Sequence, residues 1–347
     1  RNTLAKILSF WPLAEQRRFF EDALGLRLVL EEETGKLFPA SNRARDVRDV
    51  LLDTARMRGV EIRFEACVAD LRPPAQAEPW RVILESGEII PAAAVVIASG
   101  GLSVPATGSD GIGIRVVKQL GHTIHETYPA LTPLTAEPPR HGHLAGISLD
   151  VTLVAPVGKR RIVTHGGFLF THRGYSGPAV LDLSHLAVRS RRKGPERQSI
   201  FVQWTGQDAS AWDHTLREGG AGSVGALVRR HLPARLADTL VAEAAVEPQR
   251  SLAELRRDER ARLVEILARY PLPWTGDEGY KKAEVTGGGV SLAEIDPLTL
   301  ESRLRPGLFL CGEILDAFGP IGGYNFLWGW ATGRAAGLGA AGHHGRA

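Results

Sequence analysis

Two carboxylates near the C-terminal end of the chain follow a predicted strand, at the position where α/β sheets bind their ligands. Glu313 and Asp316 follow residues 308–311, a short apolar run that predicts a strand buried on both faces. Ligands of open α/β sheets bind just beyond the carboxyl ends of such strands. Because a carboxylate accepts hydrogen bonds from sugar hydroxyls, Glu313 predicts a site for a polyhydroxylated ligand.

A glycine-rich turn and the start of a helix come next. Residues 319–323 read Gly-Pro-Ile-Gly-Gly, and beyond Asn325 four residues recur at helical spacing: Trp328, Ala331, Thr332 and Ala335. Bare backbone N–H groups and the positive end of a helix attract an anion, so the segment predicts a place for the negative part of a cofactor. The alternative is a buried strand–loop–helix corner that is rich in glycine because it is crowded.

A second stretch has the same character. Residues 93–101, Ala-Ala-Val-Val-Ile-Ala-Ser-Gly-Gly, predict a buried strand that runs into Gly100 and Gly101, where backbone approaches a ligand or another strand closely. A helix is predicted over residues 114–120. The glycines between them do not match G-x-G-x-x-G and are weak evidence by themselves.

These motifs resemble a known family. Gly312-Glu313 followed by Gly322-Gly323-Tyr324-Asn325 resembles the flavin-contacting signature of glutathione-reductase-like flavoproteins. The longer run over residues 315–331, Leu-Asp-Ala-Phe-Gly-Pro-Ile-Gly-Gly-Tyr-Asn-Phe-Leu-Trp-Gly-Trp-Ala, is similar to the bacterial YhiN/BaiN-like NAD(P)/FAD-dependent oxidoreductases, which are also described as aminoacetone-oxidase-like. Residues 98–109, Ala-Ser-Gly-Gly-Leu-Ser-Val-Pro-Ala-Thr-Gly-Ser, resemble the central motif of that family.

The resemblance implies an α/β fold with a Rossmann-like, FAD-binding domain of the glutathione-reductase type and an inserted α+β substrate domain. We expect the first part of the FAD domain over residues 1–134, the inserted domain over 135–280 and the rest of the FAD domain over 281–347. The resemblance implies FAD as cofactor, NAD(P)H as co-substrate and a small organic substrate. The implied cofactor contacts are Gly100, Gly101, Gly312, Glu313, Asp316, Gly322, Gly323, Tyr324 and Asn325. Asn325 is equally well interpreted as a helix N-cap.

The inserted domain carries one distinctive motif. Residues 170–179 read Phe-Thr-His-Arg-Gly-Tyr-Ser-Gly-Pro-Ala and are similar to the family's Thr-His-x-Gly-x-Ser-Gly-Pro. We predict that His172, Arg173 and Tyr175 are catalytic: they face the flavin and hold a substrate carbonyl or carboxylate, and His172 donates a proton near neutral pH. The alternative is structural, with Ser176 capping a helix that has Pro178 in its first turn.

Composition limits the remaining classes. A length of 347 residues predicts two domains, and 44% hydrophobic with 23% charged residues is typical of a soluble globular protein. Two cysteines argue against a disulfide framework and favour the reducing cytoplasm. We expect no membrane span, because no apolar stretch is long enough, and no metal site, because the histidine pairs lack cysteine partners. No G-x-S-x-G elbow suggests a serine hydrolase.

The net charge of +3 gives little support to a nucleic-acid partner. The one dense basic cluster, residues 189–197, is predicted to be a solvated loop, and Gly166-Gly167 to be a turn between two strands. We therefore consider nucleic acid an improbable partner and keep a flavin-dependent RNA-modifying enzyme as the alternative function. The sequence does not predict the oligomeric state.

The expected first βαβ segment of the FAD domain is missing. Residues 1–134 contain no strand, G-x-G-x-x-G turn and helix of the kind that holds the FAD pyrophosphate, and the chain begins with Arg1 rather than Met. We expect an N-terminally truncated piece of a longer protein that binds FAD weakly by itself. The alternative is an inactive fragment.

Overall fold

The chain divides into two compact units. A computed structural model describes residues 2–343 except 33, 76, 77 and 195. The first unit joins both ends of the chain, Arg1–Thr127 and Val285–Ala347, and the second is Tyr128–Glu284. The boundaries expected from the sequence, after residues 134 and 280, differ from these by a few residues.

The first unit begins with helices and short strands. In chain order they are α1 (Asn2–Ser9), α2 (Leu13–Arg18), a π-helical turn (Phe19–Ala23), β1 (Leu28–Glu31), β2 (Lys36–Pro39), α3 (Ala44–Met57), β3 (Val68–Arg72), β4 (Trp80–Leu84), β5 (Ile89–Ala92), β6 (Val95–Ile97), α4 (Ile112–Gln119) and β7 (Ile124–Ala130), whose last residues already belong to the second unit.

The second unit continues with a larger sheet and a group of helices. In chain order they are β8 (Leu134–Thr135), β9 (Ser148–Val157), β10 (Arg160–Phe170), β11 (Gly174–Ser176), α5 (Pro178–Lys193), β12 (Phe201–Gln203), α6 (Ala209–Glu218), α7 (Val224–Arg229), α8 (Ala234–Glu243), α9 (Arg257–Ala268), β13 (Tyr270–Pro271) and β14 (Gly276–Asp277).

The chain then returns to the first unit through β15 (Val285–Val290), β16 (Leu308–Leu310) and α10 (Tyr324–His343). Strand β16 pairs in parallel with β6, Leu310 opposite Ile97, and β15 pairs with β7. Every residue of β16 is buried, as its unbroken apolar sequence predicts. The core around it contains Ile7, Val117, Phe309, Leu310, Ile314 and Trp328.

The sheet of the second unit has seven strands in the order β13-β12-β9-β10-β11-β8-β14. Helix α5 packs against five of them, β8, β9, β10, β11 and β14, because Ala179, Val180, Leu183 and Ala187 form a fully buried face. The two edge strands, β13 and β14, are separated in the chain only by residues 272–275. Helices α6 to α9 add their apolar faces to the same core, and α6 and α7 begin with side-chain caps from Asp208 and Ser223.

The structure corrects three predictions of local structure. Gly166 and Gly167 do not form a turn but lie inside β10, next to Pro178 at the start of α5. The basic run from Arg189 is not a loop at its beginning, since α5 continues to Lys193. Ser176 belongs to β11, and the N-cap position of α5 is Gly177, whose φ of 96° favours glycine.

The described residues contain neither a helix that could span a membrane nor a group of metal-binding side chains. None of their helices has both the length and the hydropathy needed to cross a bilayer. Within the same residues, no three His, Cys, Asp or Glu side chains are grouped as a metal site requires.

Candidate functional site

The two predicted glycine motifs leave the sheet of the first unit at the same edge. Because β6 and β16 are parallel, their carboxyl ends are adjacent, and Cys311 N donates to Ile97 O directly beyond them. Gly100-Gly101 follows β6 and Gly312-Glu313 follows β16. This edge is where open α/β sheets bind their ligands.

Glu313 joins three separate segments at this edge. Its Oε1 atom accepts a hydrogen bond from Ser103 Oγ at 2.6 Å and another from Thr286 N at 2.9 Å. Thr286 Oγ1 in turn accepts from Leu102 N at 2.7 Å and from Ser103 N at 3.2 Å. The half-buried carboxylate therefore fixes the loop after β6, the strand β15 and the turn after β16 relative to one another.

Gly101 is required by this network. A Cβ atom on Gly101 would lie 2.6 Å from Thr286 Cβ and 2.7 Å from Glu313 Oε1. The close approach predicted at Gly101 is thus an approach of chain to chain, and its contact with a cofactor stays a prediction. Gly100 has a φ of 72°, a conformation that side chains rarely adopt.

The other oxygen of Glu313 is available. Both hydrogen bonds use Oε1, and within the described part of the chain Oε2 makes no hydrogen bond. One carboxylate can thus hold the three segments together and still accept a hydrogen bond from a ligand.

Helix α10 fixes the corner from the other side. Trp328 Nε1 donates to Gly312 O at 3.0 Å, and Gly312 N donates to Thr332 Oγ1 at 2.9 Å. Both side chains are buried, together with Ala331 and Ala336, which confirms the predicted helical face apart from Ala335, which is only partly buried. Gly312 has a φ of 76°.

Asn325 closes the glycine-rich turn instead of capping the helix. Its amide accepts from Gly319 N at 2.8 Å and donates to Gly319 O at 3.1 Å. Gly322 and Gly323 follow with φ values of 125° and 91°, and Tyr324 is 54% exposed. The turn ends where α10 begins. The first N–H groups of an α-helix have no partners within the helix and can donate to a ligand.

Asp316 lies apart from this network. Its carboxylate is 3.8 Å from His125 Nε2, and its backbone N donates to Val290 O. Its predicted contact with a cofactor also stays a prediction.

The three predicted catalytic residues lie around one turn of the second unit. His172 and Arg173 are exposed between β10 and β11, where Thr171 Oγ1 accepts from Arg173 N and Gly174 N. Tyr175 points the other way and is completely buried. Burial raises the pKa of the Tyr175 hydroxyl above its usual value. The catalytic role of all three stays a prediction, and only His172 and Arg173 offer their side chains to solvent.

Tyr175 belongs to a buried polar cluster that the sequence did not suggest. Its hydroxyl is 2.9 Å from His141 Nδ1, while His141 Nε2 is 3.2 Å from Glu243 Oε1. Tyr270 OH donates to Glu243 Oε2 at 2.6 Å, and Arg140 Nε donates to Oε1 at 3.0 Å. Burial opposes ionisation of Glu243, but these hydrogen bonds and the Arg140 charge outweigh it and hold the pKa of that carboxyl at about 2. The cluster thus connects Glu243, at the end of α8, to Tyr175 of β11 and Tyr270 of β13.

A further cluster has the order of a hydrolase triad. Ser302 Oγ is 2.9 Å from His122 Nε2, and His122 Nδ1 is 3.0 Å from Glu294 Oε2. Ser302 is 4% exposed, and its Oγ also accepts from Leu304 N and Arg305 N. Since a nucleophile must reach its substrate, this geometry indicates a structural role.

Ser103 and Thr286 are the site residues that sequence reasoning missed. Ser103 stands inside the central motif, and Thr286 precedes three consecutive glycines, which is the only signal that either offers. A G-x-G-x-x-G pattern does occur, at Gly337-Leu-Gly-Ala-Ala-Gly342, but it lies inside α10 and follows no strand. Its context therefore excludes a dinucleotide fingerprint there.

Comparison with known proteins identifies the family. Residues 1–339 match the model described as HI0933-like protein Rossmann domain. The chain belongs to this family. The HI0933-like assignment confirms both the predicted family of flavoprotein relatives and the α/β class with a Rossmann domain.

Three relatives of this HI0933-like chain have assigned activities. A ribosomal RNA dihydrouridine synthase of Escherichia coli (strain K12) is 32% identical over 306 residues, which cover 87% of this chain and 73% of the relative. A 3-dehydro-bile acid delta(4,6)-reductase of Clostridium scindens is 29% identical over 340 residues, 96% and 82% respectively. A ribosomal RNA dihydrouridine synthase of Haemophilus influenzae is 29% identical over 311 residues, 89% and 75%.

These matches indicate an oxidoreductase with a flavin or nucleotide cofactor. They leave the substrate open, and the two RNA-named relatives leave a nucleic-acid partner open as well.

Proposed function

We propose that this chain acts as an FAD-dependent reductase that uses NAD(P)H to saturate a carbon–carbon double bond conjugated to a carbonyl. The observation that carries the proposal is the convergence of three separate chain segments, two of them family motifs, on Glu313 at the carboxyl edge of β6 and β16. Ligands bind at such an edge, and the oxygen of Glu313 that makes no hydrogen bond among the described residues can accept one from a sugar hydroxyl of a cofactor.

The residues present fit FAD. Glu313 Oε2 makes no hydrogen bond among the described residues and would accept from a ribityl or ribose hydroxyl. The N–H groups at the start of α10, beyond Gly322 and Gly323, would donate to the electron-rich part of the ring. When bound, FAD supplies two-electron chemistry by carrying a hydride between a nicotinamide and an organic acceptor.

The reaction class is supported by what two relatives have in common. Dihydrouridine is a pyrimidine whose ring double bond next to a carbonyl has been saturated, and a 3-dehydro-bile acid delta(4,6)-reductase removes double bonds conjugated to a ketone. Both names describe the same change, so we infer a conjugated C=C as the acceptor here.

Saturating such a bond places a hydride on the carbon remote from the carbonyl and a proton on the carbon beside it. We propose that His172 donates this proton, because histidine is the most frequent general acid of enzymes and this side chain is exposed. We assign Arg173 to the carbonyl oxygen, on which negative charge develops, because a guanidinium donates several hydrogen bonds from a fixed plane. Tyr175 would support the turn from beneath through its bond to His141.

The test combines two titrations. FAD is added to the chain and the quenching of its fluorescence is followed; saturable binding is expected. The flavin-loaded chain is then mixed anaerobically with NADH or NADPH, followed by a conjugated enone, and by the corresponding saturated ketone as control.

Loss of flavin absorbance on addition of a nicotinamide, followed by its recovery with the enone but not with the saturated ketone, would support the proposal. A flavin that is bound but reoxidised equally by both ketones would contradict the acceptor class. Unchanged FAD binding in Glu313→Ala would contradict the site.

A further inference from the structure

Positive charge is concentrated in the second unit. Residues 128–284 contain 22 Lys and Arg against 17 Asp and Glu, whereas the first unit contains 20 against 22. Residues 155–200 alone contain nine basic and two acidic residues. The modest net charge of the chain therefore conceals a strongly basic segment.

The fold brings the two ends of that segment together. Gln198 N donates to Ser190 Oγ near the end of α5, and Gln198 Nε2 donates to Pro156 O at 2.7 Å. Pro156 pairs with Arg161 across the tip of the β9–β10 hairpin. The hairpin tip and the segment after α5 thus form one surface, the basic surface, consisting of Lys159, Arg160, Arg161 and Arg197.

The charges of this surface are exposed and largely unneutralised. Lys159, Arg160 and Arg161 are exposed, and within the described part of the chain no carboxylate lies within ion-pair distance of them. Arg197 lies over the Trp274 ring at 5.6 Å. The neighbouring carboxylate of Asp277 is 3% exposed and already paired with Arg191 at 2.9 Å. Adjacent like charges repel one another, so an unpaired set of this kind favours a polyanionic partner.

We propose that the basic surface binds the phosphate backbone of RNA. RNA presents a row of phosphates that a hairpin tip and an adjacent chain segment can contact together. The exposed apolar residues beside the tip are Val157, Ile162 and Val163, and none is of the aromatic or Leu type that anchors proteins in a lipid surface. The inference extends the proposed function by naming RNA as the polymer that carries the unsaturated base.

Binding of this kind depends steeply on salt. Each phosphate contact releases counterions, so the slope of log Kd against log salt concentration reports the number of contacts. Removing one phosphate-binding cation lowers that slope by about one and weakens binding for all sequences alike.

The experiment uses the full chain, without flavin or nicotinamide, and a fluorescein-labelled ribosomal RNA hairpin with uridines in its loop. The test variant is Lys159→Ala/Arg160→Ala/Arg161→Ala. The matched control, Arg230→Ala/Arg257→Ala/Lys281→Ala, removes the same charge from exposed positions of the same unit outside the surface. A third variant, Arg160→Lys/Arg161→Lys, keeps the charge. Circular dichroism verifies that all of them fold.

The test variant is expected to lower the salt slope by about two to three and to raise Kd roughly tenfold or more near ~0.1 M salt, while the control and the charge-keeping variant bind like the parent. Equal losses in the test and control variants would overturn the proposal. So would absence of RNA binding by the parent, or binding to vesicles rich in phosphatidylglycerol with none to RNA. Because no redox reaction is measured, failure here leaves the proposed reductase intact, and failure of flavin reduction leaves this result intact.

Discussion

Ser103 Oγ donates a 2.6 Å hydrogen bond to Glu313 Oε1 across 210 positions of the chain. The bond connects the loop after one buried parallel strand to the turn after its neighbour. Thr286 N donates to the same oxygen, so a single atom connects three separate segments of the chain. The expected cofactor-binding carboxylate is therefore also a structural element of the first unit.

This double role predicts two losses in Glu313→Ala. Removing the carboxylate leaves Ser103 Oγ and Thr286 N without their acceptor, which we expect to lower the free energy of unfolding by about 1–3 kcal/mol and to weaken FAD binding roughly tenfold or more. Urea denaturation measures the first and fluorescence titration the second. Ser103→Ala is the control, because it removes one of these hydrogen bonds and keeps the carboxylate. A stability loss in Glu313→Ala no greater than that in Ser103→Ala would contradict the shared role.

Gly289, the last of the three glycines after Thr286, should tolerate no side chain. Gly289 has a φ of 124°, and a Cβ there would lie 2.5 Å from Ile314 O, in the turn that carries Glu313. We expect Gly289→Ala to cost more than about 3 kcal/mol of stability or to prevent folding, since both strain and overlap act against it. Gly206→Ala, whose Cβ would meet no atom within 4 Å, serves as the control. Thermal unfolding of the two variants side by side decides the matter, and equal midpoints would show the prediction wrong.

The cluster around Glu243 predicts loss of stability in acid. The side chain of Glu243 is only 15% exposed, and its pKa in the folded chain is about 2, below the ordinary value of 4.5. The stabilisation is therefore present above the ordinary pKa and disappears as pH falls from there toward about 2. Its full size is about 3 kcal/mol, from the free energy that corresponds to the difference between the two pKa values.

Comparing the parent with Glu243→Gln isolates this effect. The unfolding free energy of the parent should fall more steeply between about pH 5 and pH 3 than that of the variant, which cannot titrate at this position. Arg140, His141, Tyr175 and Tyr270 are present in both proteins, so the substitution changes only the group that they surround. If the unfolding free energies of the parent and of Glu243→Gln fall in parallel with pH, Glu243 is not the cause of the loss of stability in acid.

The cluster of Ser302, His122 and Glu294 should prove structural. Burial lowers the pKa of His122, although its hydrogen bond to Glu294 opposes the shift. The unfolded chain therefore binds the proton more readily, and this contribution to stability falls as pH drops through the ordinary histidine value of about 6.5. Ser302→Ala should lose stability, because Leu304 N and Arg305 N lose their acceptor, and should retain any flavin-dependent activity. Labelling of Ser302 by a fluorophosphonate probe would refute the structural role.

Local patterns predicted the elements of the site well. Residues 308–311 are apolar without interruption and form a buried strand, and Trp328, Ala331 and Thr332 lie on the buried side of α10 because their spacing follows the helical period. Both are properties of a short window of sequence.

The partners within the site could not be predicted in this way. Ser103 and Thr286 are 183 positions apart, and only the parallel pairing of β6 with β16 and the return of β15 bring them together. The basic surface has the same origin, since Gln198 joins a hairpin tip to the segment after a helix that the sequence pattern treats as unrelated. Hydrogen bonds between residues so far apart in the chain produce no periodic pattern in the sequence.

The inserted unit begins and ends at one place. Strands β7 and β15 pair where the chain leaves the first unit and returns, and Glu284 N donates to Leu131 O just inside the insertion. This strand pair therefore fixes the separation between the two ends of the inserted unit, whatever sequence lies between them. The inserted segment can therefore differ in length or sequence without changing this strand pair, which leaves the frame around Glu313 and the recognition surface of the inserted unit free to change independently.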